Sequence, residues 1–106
     1  MVQVHVDMVV NPAKEAGMLE YFHTKFRPEA QKFEGYLDVR MMKLRTTLVG
    51  TEPQLNYRFV ITYRNEELRQ KWIASDIHQE VWGGMEKTLS APDYTVLLFD
   101  VAERDS

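Results

Sequence analysis

Three histidines, two tryptophans, five tyrosines and no cysteine carry the chemistry open to this 106-residue chain. The missing cysteine excludes thiolate nucleophiles, disulfides and Cys-based zinc sites. His78 follows Ser75-Asp76, where a helix is expected to restart. An unperturbed imidazole is half neutral near about pH 6.5, so His78 is a candidate base or hydrogen-bonding partner. Its competing reading is local: a ring that caps or packs at the helix start. Trp72 and Trp82 flank the same break. They can line a cleft between helix and sheet, where a planar ligand would stack. Equally, both can be core. Trp82 fits the apolar stripe less well, which makes it a pocket wall or an interface anchor. Tyr36, Tyr57 and Tyr63 can offer phenolic hydrogen bonds to a ligand, or simply pack as cross-strand aromatics.

Other chemistries find less support. His5 and His23 stand alone, without the HxH, HxxxH or HxxE spacing of a metal site. There is no phosphate loop and no GxGxxG. Spacing alone supports no Ser-His-Asp arrangement. Lys43 and Arg45, with Arg58, Arg64 and Arg69, form a modest basic cluster. It can hold an anion at a pocket mouth or be plain solvated charge. Thirteen basic against sixteen acidic side chains give a net charge of −3. That provides no positive field for nucleic acid. With 44% apolar and 27% charged residues, the chain is expected to be a single globular domain over 1–106, not a disordered one. No apolar run approaches the roughly 18 residues of a membrane span, and the N-terminus does not read as a signal peptide. The expected location is the cytoplasm.

The elements that must position these residues follow from periodicity. Val2–Val10 alternates, with Val2, Val4, Val6, Met8 and Val10 on one side. Asn11-Pro12 reads as a cap and first helical position. The helix is expected to run to Phe33 with Leu19, Phe22, Phe26, Ala30 and Phe33 as its buried stripe. Pro28 predicts a kink near Arg27. Gly35 ends the helix. Tyr36–Arg45 and Asn56–Arg64 read as strands around a loop at 46–55. That loop is too short for a crossover helix, so the two strands should pair antiparallel. Leu37, Val39 and Met41 are expected on one side of the first of them. Asn65-Glu66-Glu67 and Ser75-Asp76 open two helical pieces that end at Leu89. Gly83-Gly84 should weaken the second piece. Tyr94–Ala102 is the last strand.

This β-α-β-β-α-β order predicts an α+β ferredoxin-like fold, a four-stranded antiparallel sheet with both helices on one face. The other face would carry His5, Asp7, Asp38, Arg40, Arg58, Thr62 and Arg64, mixed with Val9, Met42 and Val60. Such a face is either solvated or a self-association surface, where a two-fold axis makes charge pairing reciprocal.

Tyr57-Arg58-Phe59-Val60-Ile61-Thr62-Tyr63, followed by Trp72-Ile73-Ala74-Ser75-Asp76-Ile77-His78-Gln79-Glu80-Val81-Trp82, resembles the antibiotic biosynthesis monooxygenase family. The shared feature is a helical aromatic, then Ser or Thr, then a His shortly after the helix restarts. Glu34-Gly35-Tyr36 fits the family's entry into its second strand. The resemblance implies a homodimeric α+β barrel, with the sheets facing each other and a pocket between sheet and helices in each protomer. Some members oxidise planar polyphenols such as anthrones or quinols with dioxygen and no cofactor. Others degrade haem, and fold alone does not fix the reaction.

Cofactor-free oxidation needs a base, or hydrogen bonds that stabilise an anion, inside a dry aromatic pocket. His78, which matches the family's His after the helix restart, is the expected base, with Trp72, Trp82 and Phe22 as expected pocket walls and Tyr57 as a further expected ligand-binding residue. Haem-degrading members carry an iron-ligating His at the position of Trp82 and an Asn where this chain reads Asp7-Met8. Loss of the axial ligand argues against haem chemistry. The expectation is therefore a monooxygenase acting on a small planar aromatic. Its alternatives are a non-catalytic small-molecule-binding or stress-response module of the same fold, or a structural dimer whose pocket is filled by its own aromatics.

Overall fold

In the computed structural model, which describes residues 1–103, strand β1 spans Val2–Met8. Its even-numbered residues are buried and its odd-numbered ones half-buried, as the alternation requires. The strand ends two residues before the predicted boundary because a side chain takes over its pairing. Asn56 accepts from the Val10 N–H through Oδ1 at 2.7 Å and donates to the Val10 carbonyl through Nδ2 at 2.8 Å.

The first helical stretch starts at Asn11, whose Oδ1 accepts from the Ala13 N–H at 2.9 Å. It runs through a 3-10 turn (Pro12–Lys14), α1 (Glu15–Tyr21), a π turn (Phe22–Phe26) and α2 (Arg27–Gln31). The predicted kink at Arg27 is resolved as this widened turn. The Arg27 N–H bonds the Phe22 carbonyl, five residues back. In a regular helix the Pro28 ring would press on the carbonyl four residues before it. Here the proline lies immediately after the widening, and the helix continues past it.

Strand β2 (Tyr36–Lys43) follows Gly35, which has φ +93°. A β-carbon there would also meet Leu68 at 2.7 Å, so both conformation and space favour glycine. The pairing register shifts between Tyr36 and Asp38. That bulge takes Leu37 out of the expected inner face and leaves it exposed, whereas Val39 is buried and Met41 packs against the core. Strand β3 (Tyr57–Tyr63) leads into α3 (Glu66–Ile73), capped by Asn65. Helix α4 (Asp76–Glu86) is capped by Ser75 and ends three residues before the predicted Leu89. Strand β4 spans Thr95–Asp100.

The sheet order is β2-β3-β1-β4, with every pair antiparallel. Helices cover one face. Beneath them Val4, Val6, Met8, Tyr57, Phe59 and Ile61 meet Met18, Phe22, Phe26, Trp72 and Met85 in one core. This is the predicted ferredoxin-like arrangement. The uncovered face is mixed, as expected. Asp7 and Arg58 form a bidentate pair on it at 2.6 and 3.1 Å, and Arg40 pairs with Asp38 at 3.0 Å. Strand β4 differs from the others, since all six of its residues are exposed. No helix among the described residues is long and apolar enough to cross a membrane.

Candidate functional site

Between the helical layer and the sheet lies a cavity of about 210 Å3. Its floor is Val4 and Val6 of β1, Phe59, Ile61 and Tyr63 of β3, and Val96 of β4. Phe26, Trp72, Ile73, His78, Trp82 and Tyr94 complete the walls. No lysine, arginine, aspartate or glutamate is among these residues. The cavity therefore favours an uncharged apolar ligand.

The break between α3 and α4 positions His78. Ser75 Oγ accepts from the His78 N–H at 3.2 Å and donates to the Trp72 carbonyl at 2.6 Å. One serine thus caps α4 and ties it to the end of α3. This seats the His78 ring edge-on to Trp72, with centroids 5.2 Å apart. Burial pushes the imidazole pKa below its ordinary value, opposed by the Ile73 carbonyl. At neutral pH the ring is uncharged. Its Nδ1 is buried and has no hydrogen-bond partner of good geometry among the described residues. A neutral imidazole keeps one nitrogen lone pair, the form a base requires.

Trp72 is fully buried, edge-on to Phe33 at 4.6 Å and to Phe26 at 6.2 Å. It is both core and cavity wall. Trp82 is half-buried, and its Nε1–H donates to the Tyr94 hydroxyl at 3.1 Å. Tyr94 donates in turn to Glu86 at 3.2 Å.

Phe22 and Tyr57 lie away from the cavity lining. Phe22 is core, edge-on to Phe59 at 5.9 Å, with the Arg27 guanidinium over its ring. Tyr57 is buried at the far end of the sheet, where its hydroxyl meets Glu15. Burial and that carboxylate push its pKa up to about 12. Both residues lie on the predicted inner face, yet position along the sheet, which alternation does not encode, keeps them from the site. The basic cluster does not line the cavity. Arg58 pairs with Asp7 on the uncovered face, Lys43 with Glu15 and Arg64 with Glu34, while Arg69 pairs with Glu66 near Tyr63. Tyr94, Ile73 and Val96 belong to the site without having been singled out by sequence. For Tyr94 the available signal was an aromatic opening the last strand just after Pro92.

No protein-family model and no curated protein matches the sequence. Solved structures do match it in fold. SnoaB, a cofactor-independent oxygenase from Streptomyces nogalater, superposes with a TM-score of 0.75 at 11% identity, covering 97% of this chain and 94% of that one. An antibiotic biosynthesis monooxygenase superposes at 0.72 and 13% identity, with coverage of 97% and 100%. A dimeric ferredoxin-like protein of unknown function from Jannaschia superposes at 0.78 and 15% identity, with coverage of 94% and 98%.

Proposed function

We propose that this chain is a cofactor-independent monooxygenase of the antibiotic biosynthesis type, working as a cytoplasmic homodimer on a small planar aromatic such as a quinol or anthrone. The observation that carries the reading is the neutral, half-buried His78 in the wall of an otherwise apolar, aromatic cavity. The fold shared with a cofactor-independent oxygenase supports it.

In this reading the substrate lies between Trp72 and Trp82 and presents its acidic C–H or O–H to His78. The imidazole takes that proton. The resulting carbanion or phenolate, held among apolar and aromatic walls, passes an electron to dioxygen. Recombination at carbon gives a peroxide anion, which takes the proton back from the imidazolium, and the hydroperoxide so formed loses water. For an anthrone-like substrate the balance is one methylene group and one dioxygen giving one ketone carbonyl and one water. The substrate supplies all the electrons that dioxygen takes up, so no external reductant is needed.

Oxygen uptake with a panel of anthrones and hydroquinones tests the proposal. Turnover that collapses in His78→Gln is the expected result. Tight ligand binding with no oxygen consumption by any panel member would favour the non-catalytic binding module instead.

The homodimer rests on β4 and the uncovered face. Leu97 and Phe99 are 41% and 46% exposed on that face, in register with His5 and Gln3. Its charges already stand in opposite-sign pairs. Such a face can meet its own copy without leaving a charge unmatched. A protein of this fold is described as dimeric.

A further inference from the structure

Val96 has two roles that conflict in a single chain. It lines the cavity, yet 54% of its surface is exposed. Its inner-face neighbour Leu98 is 50% exposed. The other floor residues, Val4, Val6, Phe59, Ile61 and Tyr63, are all buried. The reason lies in the layering. The helices make their main strand contacts with β2 and β3, while β4, at the sheet edge, packs against β1. The cavity thus runs out from under the helical layer at its β4 side. An apolar strand left bare on both faces and along one edge is an unstable arrangement in water.

We infer that the second copy of this chain completes the cavity by covering Val96 and Leu98, so that each ligand site is shared between two protomers. This rests on the homodimer proposed above and goes beyond it. A dimer that met only through the uncovered sheet face would bury Leu97 and Phe99 and leave Val96 bare. Successive strand residues point to opposite faces, so one partner must wrap the β4 edge to shield both sets. The unpaired backbone groups along that edge give the wrapping segment hydrogen-bonding partners.

The chain has no cysteine, so Val96→Cys would carry its single thiol. Val49→Cys, at a loop position 93% exposed, supplies the open reference. At concentrations where light scattering gives a dimer mass, the thiol at 96 is expected to react with an aromatic disulfide reagent about tenfold more slowly than that at 49, or slower still. Dilution through the dissociation range should bring the two rates together by mass action. Phe99→Glu, on the sheet face opposite the cavity, should abolish both the dimer and the protection. It should also weaken 2-naphthol binding, read by tryptophan fluorescence. Should that variant misfold, the dilution series on the Val96→Cys protein decides alone. A dimer in which thiol 96 reacts as fast as thiol 49 overturns the shared site and leaves the dimer standing. A monomer mass at every concentration removes the dimer itself.

Discussion

The Trp82 indole donates its Nε1–H to the Tyr94 hydroxyl at 3.1 Å, and both rings line the cavity. A helical residue is thereby joined to the segment entering β4. Trp82→Phe keeps an aromatic wall and removes the donor. It should cost about 0.5–1.5 kcal/mol for the lost hydrogen bond. Urea unfolding of Trp82→Phe, Tyr94→Phe and the double variant should show coupling between the two positions. Strictly additive effects would mean that the bond contributes nothing.

His78→Gln should retain ligand binding and lose turnover by about a hundredfold to ten-thousandfold, the usual contribution of a positioned base. In the unmodified chain, the rate should fall with pH as the imidazole protonates. The fall should come below the ordinary histidine range, because burial lowers this pKa. A pH–rate profile unchanged by the substitution would remove His78 from the chemistry.

Stability should also decline in acid. The folded chain holds His78 neutral, with its pKa lowered by burial and the Ile73 carbonyl opposing. The unfolded chain takes up a proton first as pH drops below about 6.5. Folding free energy therefore weakens from there down to the folded pKa and then levels off. His5 acts in the same direction, its pKa lowered by burial and by Arg58 against the opposing pull of Asp7. Chemical denaturation against pH should lose part of its slope in His78→Gln and the rest of this histidine component in His5→Gln. An unaltered slope in His78→Gln would contradict the assigned shift.

Gly84→Ala should destabilise the chain by about 1–3 kcal/mol, as overpacking does. A β-carbon at 84 would fall 2.1 Å from the Tyr21 ring. Tyr21→Ala should rescue much of that loss. Gly83, which has open space around it, should accept alanine freely and even gain helix stability. Thermal unfolding of the two single variants separates the positions.

The cavity should discriminate by ligand charge. With no lysine or arginine in its lining, it offers no partner to a buried carboxylate. 2-Naphthol is expected to quench the tryptophans, and 2-naphthoate to bind far more weakly. Equal affinity would place the ligand outside the cavity.

Much of the fold was legible because it rests on period and caps. Val2 to Met8 alternate, Asn11, Asn65 and Ser75 each accept from a helical N–H, and Gly35 turns the chain. Local sequence did not show where backbone geometry departs from its ideal. The Leu37 bulge and the Phe22–Phe26 π turn each shift the side chains around them. The site was half visible for the same reason. His78 and Trp72 lie beside a serine that binds them together, within a few residues of one another. Val96 reaches the cavity through long-range strand pairing and Tyr94 through its bond with Trp82, and Phe22 and Tyr57 are kept from it by their places in the core.

The π turn also bears on how this chain can change length. A π turn holds one more residue than the α turn it replaces. Deleting one residue from Phe22–Phe26 would close the wide turn to an α turn and leave the residues after it in nearly the same phase, whereas a deletion from a regular stretch of the helix would rotate them by about 100°. Arg27 would then keep the Val39 carbonyl that it now meets at 3.0 Å, and Ala30 its place in the core. The wide turn is thus the place where this helix can lose a residue without turning its far half. Aligned relatives one residue shorter here are expected to carry a regular α turn.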